Sequence, residues 1–255
     1  MLRSKRLKKV EKVVARVKKG HTHSPFVSYL KEVIYGAIDG IITTFAVVAG
    51  FSGAALSQDS TTQLSFVFVL LFGLANLVGD GVSMGLGNFL AVRSEQGLYR
   101  NLWKKEQNSS VTHEDAEVAE TMRILLARGF SDTEAKTLTD IYRKNESFWI
   151  EFLVNNELKV ANPMGESAVY TGAATFAAFI AFGFIPLMPF IVMHSVDPAT
   201  VFQLSATGAF VALVLLGILK WRIVGTHPLR SVLEIVIVGG VAASVAFFVG
   251  TLFTI

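Results

Sequence analysis

Cysteine is absent from this sequence of 255 residues. That excludes a disulfide framework, a cysteine-based zinc site and thiol chemistry. Charge is scarce as well. Asp, Glu, Lys and Arg make up 17% of the chain against 52% hydrophobic residues, so a soluble domain of this length would lack the polar surface it needs. The sequence shows no nucleophile–base pair, no phosphate-binding glycine loop and no clustered histidines, which argues against an enzyme. The acidic middle segment holds no Glu-x-x-His, so a ferritin-like di-iron arrangement has no support. The first 20 residues are basic, but no apolar run with a small-residue cleavage site follows them. They read as a retained tail rather than a signal peptide.

What is present is long apolar sequence. Polar residues concentrate in 1–31 and 93–164, and the rest is rich in Gly, Ala, Phe and Val. A helix needs about 20 apolar residues to cross the hydrocarbon core, and five segments reach that length: 33–56, 64–92, 167–193, 199–219 and 232–254. Pro186 and Pro189 should kink or end the third. Of the 23 Lys and Arg, ten lie in the N-terminal tail, ten in 93–164 and three in the "KWRIVGTHPLRS" connection. In a five-span model all of these fall on one side, which the positive-inside rule makes cytoplasmic. The expected topology places residues 1–31 (a basic tail) and 93–164 in the cytoplasm and the C-terminus outside it. Spans one and two lie within 32–92, and spans three to five within 165–255. The net charge of +3 reflects this topology and gives no indication of nucleic-acid binding. In the tail, Leu7, Val10, Val14 and Val17 among lysines fit either an amphipathic helix on anionic lipid or a disordered basic segment.

Residues 93–164 read as soluble and helical. Span two should run on through "RSEQGLYRNLWKKEQ" without a breaker before Asn108. A helix with Val118, Met122, Leu125 and Phe130 as its apolar stripe follows, then a stop at Gly129 and a capping box from Ser131 to Glu134. A second helix carries Leu138 and Ile141, and a third starts near Ser147 with Trp149, Phe152 and Leu153. The fold class is therefore an all-α integral membrane protein: five transmembrane helices, with a three-helix cytoplasmic insert between spans two and three. The insert holds twelve acids against ten bases. Charge alone fits a solvated surface. However, Glu114 and Glu117 are spaced i, i+3, Glu106 lies on the stem and Glu157 on the last helix, and hard divalent cations take oxygen ligands gathered from several elements. His113 reads as a solvated surface residue.

Ionisable residues also occur at membrane depth. Asn76, Asp80, Ser83, Met84 and Gly87 recur at three- and four-residue steps in span two, and Gly36, Asp39, Gly40 and Thr43 do so in span one. Such faces line a bundle interior or an aqueous path, or else serve helix packing. Glu166 and Glu234, near helix starts, read as structural, and Glu32 could guard the cytoplasmic mouth.

The stretches "DGIITTFAVVAGFSGA", "SMGLGNFLAVRSE", "GFIPLMPF" and "HPLRSVLE", in this order around the acidic insert, resemble the vacuolar iron transporter family over nearly everything after residue 28. The resemblance implies a homodimer that exports ferrous iron or related divalent metals, manganese among them, from the cytosol in exchange for protons. No resident cofactor is implied, since the metal is cargo. It implies a transport path through Asp39 and Met84, with Asn76 where the family usually has Glu; Asp80 and Thr43 are added to that path because they share the polar faces of spans two and one. It also implies a cytoplasmic metal site drawing on Glu106, Glu114, Glu117 and Glu157. A further family glutamate appears here as Ser109, and a family methionine pair as Leu153 and Val154. Two alternatives stay open: a carrier of the same fold with another cargo, and a membrane metal sensor or buffer without flux. The basic tail and compact length fit the plasma membrane of a prokaryote.

Overall fold

The computed structural model describes residues 29–55, 62–193 and 196–252. The tail stripe Leu7, Val10, Val14 and Val17, the His21/His23 pair and most of the turn at 57–63 lie outside the described residues. Among the described residues the chain is helical: α1 Leu30–Ala55, α2 Thr62–Thr112, α3 Glu114–Ala127, α4 Asp132–Arg143, α5 Glu146–Asn156, α6 Ala168–Gly183, α7 Met188–Val192, α8 Pro198–Val224 and α9 Pro228–Leu252. Five stretches are long and apolar enough to cross a membrane: Leu30–Ser52, Val67–Thr112, Ala168–Val192, Pro198–Val224 and Pro228–Leu252. The expected five spans are thus present, and α2 runs on as one unbroken helix. Its 51 residues give about 77 Å at 1.5 Å per residue, more than twice a hydrocarbon core of about 30 Å. Arg93, Glu95, Arg100, Lys104 and Lys105 mark the part beyond Val92 as lying outside that core. The chain divides into two compact units, residues up to Leu86 with Gly172 onwards, and Gly87–Thr171.

The first unit holds the apolar helices. One core cluster joins Ala37 and Ile41 of α1 to Leu213 and Leu216 of α8 and Ile235 of α9. Another joins Val48, Leu77, Phe179, Leu187 and Val201. Large apolar side chains on the outside stay uncovered, among them Leu71, Leu86, Val241 and Phe248, as a bundle facing lipid requires. Helices in lipid gain little from burying apolar surface, so close backbone approach has to supply packing energy. Here α1 lies against α6 with no side chain between them. A Cβ on Gly36 would sit 2.5 Å from the Thr175 carbonyl oxygen, and one on Gly40 would overlap the Phe179 carbonyl oxygen. The two prolines act as expected. After Gly183 the chain forms a short 3-10 turn, Ile185–Leu187, before α7 resumes, and the buried Ser205 hydroxyl donates to the Pro186 carbonyl at 2.7 Å. Asp197 caps α8 by accepting the Thr200 N–H at 3.2 Å. Glu234 accepts from Lys220 at 2.8 Å and from Arg230 at 2.9 Å, which joins the adjacent ends of α8 and α9.

In the second unit α3, α4 and α5 accompany the stem of α2. Tyr99, Ile150 and Val154 form its core with Leu102, Trp103 and Val160. Gly129 ends α3 with a left-handed φ of 93°, and the Phe130 N–H reaches the Leu125 carbonyl at 3.3 Å. The capping box of Ser131 and Glu134 opens α4. The side chains that α3 buries share only Leu125 with the expected stripe. They are Glu117, Thr121, Ile124 and Leu125, while Phe130 is exposed. Likewise α4 buries Ala135 and Thr139 and leaves Ile141 exposed.

The α1–α6 contact is tested by Gly40→Val. Overpacking a close contact costs about 1–3 kcal/mol, so the variant should lose several degrees of Tm in detergent-solubilised thermal unfolding. Gly87→Ala, where an added Cβ meets nothing within 4 Å, should keep the wild-type Tm; equal Tm values for all three proteins would remove the glycine contact as a stabilising element.

Candidate metal centre

The buried face of α3 is unusual because it includes a carboxylate. Glu117 is 9% exposed, and its side chain meets two more acids from separate elements. Glu106 comes from the α2 stem and is 7% exposed. Glu157 comes from the residue that caps the C-terminus of α5. One carboxylate oxygen from each lies within 4.8 Å of the others. Three carboxylates this close cannot all stay ionised without a cation. Burial first, then the charges of Glu117 and Glu157, push the Glu106 carboxyl up to about 7, with Lys105 opposing. Glu157 is raised in the same direction, by burial first and then by Glu117 and Glu120, against Arg123. One oxygen of Glu106, Oε1, is buried without a hydrogen-bond partner, so its lone pairs could serve a cation.

Neighbouring groups hold the triad in place. The Ser109 hydroxyl donates to Glu117 Oε1 and so orients that carboxylate. One turn further along α3, Thr121 donates to the Glu117 carbonyl at 2.8 Å and accepts from the Trp149 indole N–H at 2.8 Å. This buried chain ties α3 to α5. Leu153 and Val154 are fully buried as packing residues. The centre thus offers hard oxygen donors and no thioether.

Glu114 is not part of this group. It is the first residue of α3, on the exposed side, and its carboxylate is held by Arg143 of α4. The i, i+3 spacing still leaves two residues about 60° apart around a helix, enough for one to face the core and the other the solvent. His113 is exposed, with its Nδ1 2.9 Å from the Thr112 hydroxyl. Sequence reasoning did not identify Ser109 and Thr121 as supports, although one signal was available. Thr121 falls one turn after Glu117, on the side that must pack.

In the first unit, Asp39, Thr43, Asn76, Asp80 and Met84 are all half-buried. Asp39 and Asp80 are near enough for their charges to interact. Thr43 donates to the Asp39 carbonyl at 2.8 Å, which occupies its proton within the helix. Met84 packs beside the Leu77–Phe179 cluster. Asn76 opens on a cavity of about 700 Å³ whose other lining includes Val47, Phe51, Phe72 and Val249. The two span faces are split. On α1, Gly36 and Gly40 serve packing against α6 while Asp39 and Thr43 stay half-exposed. On α2, Ser83 and Gly87 are exposed. Glu166 lies before α6 at the end of the Pro163–Gly165 turn, and its carbonyl accepts from Gln96 at 2.8 Å. Glu32 is in the first turn of α1.

Comparison with known proteins bears on this arrangement. The model of the VIT family matches residues 30–251. The chain belongs to the VIT family. It is 32% identical over 230 residues to vacuolar iron transporter 1 of Arabidopsis thaliana, covering 89% of this chain and 88% of the relative. It is 30% identical to vacuolar iron transporter 2 of Oryza sativa subsp. japonica over 229 residues, 89% of each. With the vacuolar iron transporter of Toxoplasma gondii it shares 31% identity over 242 residues, 92% of this chain and 77% of the relative. As a VIT family member with five membrane-length helices, it is a multi-pass membrane transporter and not an enzyme.

The centre should titrate. Because Glu106 holds its proton more tightly folded than unfolded, protonation favours the metal-free fold, and metal-free stability falls as pH rises through about 7. Metal must displace that proton, so affinity runs the other way. Calorimetric titration of the full chain with manganous ion should show affinity falling about tenfold per pH unit below 7, with proton release on binding. Glu106→Gln should remove both the binding and its pH dependence, and Glu114→Gln should stay within about twofold of wild type. Equal losses for the two variants would count against this triad as the centre.

Proposed function

We propose that this VIT family protein exports a divalent metal, ferrous iron or manganese, from the cytosol in exchange for protons. The observation that carries the reading is the convergence of Glu106, Glu117 and Glu157 from three elements, with their carboxylate oxygens within 4.8 Å of one another. Three carboxylates suit a divalent cation in both charge and hardness. In this reading the triad captures metal on the cytoplasmic side, with residues 93–164 and the basic tail facing the cytosol and the C-terminus facing away. The transport path uses Asp39, Asp80 and Met84, with Thr43 and Asn76 beside them. A carboxylate at membrane depth is costly unless it binds a proton or a cation. Alternating between these two partners gives a chemical basis for metal–proton exchange. The thioether of Met84 favours ferrous iron over calcium or magnesium.

The ligand set bears on cargo. The capture site lacks the thioether pair that the family resemblance leads one to look for at Leu153 and Val154. A carboxylate-only site treats manganese at least as well as ferrous iron. The arrangement we infer is a homodimer in the plasma membrane, with Asp39 and Met84 of each copy lining a path near the two-fold axis. The relatives are named for iron, and iron is the first cargo to test. Acids at membrane depth favour flux over a sensor role, because a buffer has no use for Asp39 and Asp80.

Proteoliposomes loaded with a pH indicator provide the test. Manganous and ferrous ions, added separately, should enter with opposing proton movement. Asp39→Asn should lower flux by at least tenfold while leaving binding at the triad intact. Glu117→Gln should instead raise the half-saturating metal concentration more than it lowers maximal flux. Binding without flux in the wild type would make the protein a metal sensor, and an Asp39→Asn variant with unchanged pH-dependent flux would remove the proposed exchange.

A further inference from the structure

Within the triad, Glu117 is held by a side chain, since Ser109 donates to its carboxylate. Glu157 is held differently. It is the exposed member of the three, and its carboxylate accepts no hydrogen bond and joins no ion pair among the described residues. Its backbone has to place it. That backbone is unusual two residues further on, where Lys159 has a φ of 55°. Among the described residues no other non-glycine residue has a positive φ. The left-handed region brings Cβ close to the following carbonyl oxygen, and residues other than Gly, Asn and Asp seldom enter it. No ion pair of the Lys159 ammonium offsets this cost among the described residues.

The turn is pinned on both sides. Before it, the Asn156 side chain donates to the Phe152 carbonyl at 2.7 Å and accepts from Arg128 at 2.6 Å. After it, the chain doubles back along α5. The Val160 N–H reaches the Val154 carbonyl at 3.4 Å, and the Val160 side chain packs on the core of Tyr99, Ile150 and Val154. Asn162 then donates to Glu151 at 2.9 Å. Glu157 lies between these anchors. A strained residue persists only where its surroundings over-determine it, and such residues gather at functional sites. We propose that Lys159 is the positioning residue for Glu157: its left-handed turn carries this carboxylate into the triad and so sets how tightly the centre holds a divalent cation. The inference rests on the reading of the triad as the metal centre. A side chain that resists the left-handed region opens the turn and withdraws the third carboxylate. One that accepts the region keeps it in place. The lysine charge has no part in this, so neutral side chains should differ among themselves.

Calorimetric titration of the full-length protein with manganous ion, well below the Tm of each variant, is the test. Lys159→Gln removes the charge, keeps an unbranched side chain and serves as the reference. Lys159→Val introduces a β-branched residue, which is opposed to a positive φ, and should bind at least tenfold more weakly than the reference. Lys159→Asn introduces a residue that tolerates this conformation and should bind at least as tightly as the reference. A role in folding alone would lower the Tm of Lys159→Val and leave its affinity unchanged. Equal affinities for the three variants would overturn the proposal, as would Lys159→Asn binding as weakly as Lys159→Val. Glu106→Gln tells the two possible failures apart. If it binds as the wild type does, the centre lies elsewhere and the inference falls with it. If it abolishes binding while the three variants bind alike, the centre stands and the positioning role alone is lost.

Discussion

A carboxylate removed from water must be neutralised, and the arrangement of residues 87–171 depends on how Glu106 meets that requirement. With its proton held up to about 7, Glu106 can be kept ionised in the metal-free fold only at a cost in stability. Replacing Glu106 and Glu117 by apolar residues of similar volume would commonly be neutral or stabilising. A fold that keeps them forgoes that stability, which is the cost expected of a binding site. Their supports fit that reading: Ser109 holds an oxygen of Glu117, and Thr121 and Trp149 fix its backbone, so the ligand atoms converge before any cation arrives. Less side-chain ordering then remains to be done on binding.

The membrane part solves a different problem with different residues. Apolar side chains gain nothing by leaving lipid for one another, so packing there relies on backbone contact. The glycines at 36, 40 and 183 provide it at the α1–α6 crossing. This separates two roles that a sequence pattern merges. Glycine and aspartate alternate along α1 at helical spacing, and periodicity alone puts Gly36, Asp39, Gly40 and Thr43 on one face. In the bundle the glycines turn to α6 while Asp39 remains half-buried on the adjoining side. Close packing on one flank fixes the helix rotation that presents the carboxylate on the other.

How much was legible in the sequence follows from where each signal resides. The five spans are written in local composition, as are the unbroken stem, the stop at Gly129, the Ser131–Glu134 box and the break at Pro186. All of them depend on residues within a turn or two. The stripes on α3 and α4 are less legible, because hydropathy patterns assign charged residues to solvent. Glu117 and Thr121 are buried because partners distant in sequence, Glu106 and Trp149, supply the polar contacts that burial demands. Glu114 went the other way: Arg143, 29 residues on, captures it. Pairings of that separation leave no periodic trace in a single sequence.

The ligand types argue for a division of labour along α2. The stem end of that helix carries Glu106, and the triad it joins is built of oxygen donors alone, with Leu153 and Val154 packed where softer ligands would have to stand. Within the apolar stretch the same helix carries Asp80 and Met84, an oxygen donor and a sulfur donor one turn apart. Oxygen ligands discriminate weakly among divalent cations and exchange them quickly, whereas a thioether favours softer transition metals. A chain that gathers metal with the first set and passes it by the second places its selectivity in the membrane. Under the transport we propose, the identity of the cargo would be decided at Met84 rather than at the glutamates, and loss of the sulfur there should broaden what is carried without weakening what is captured.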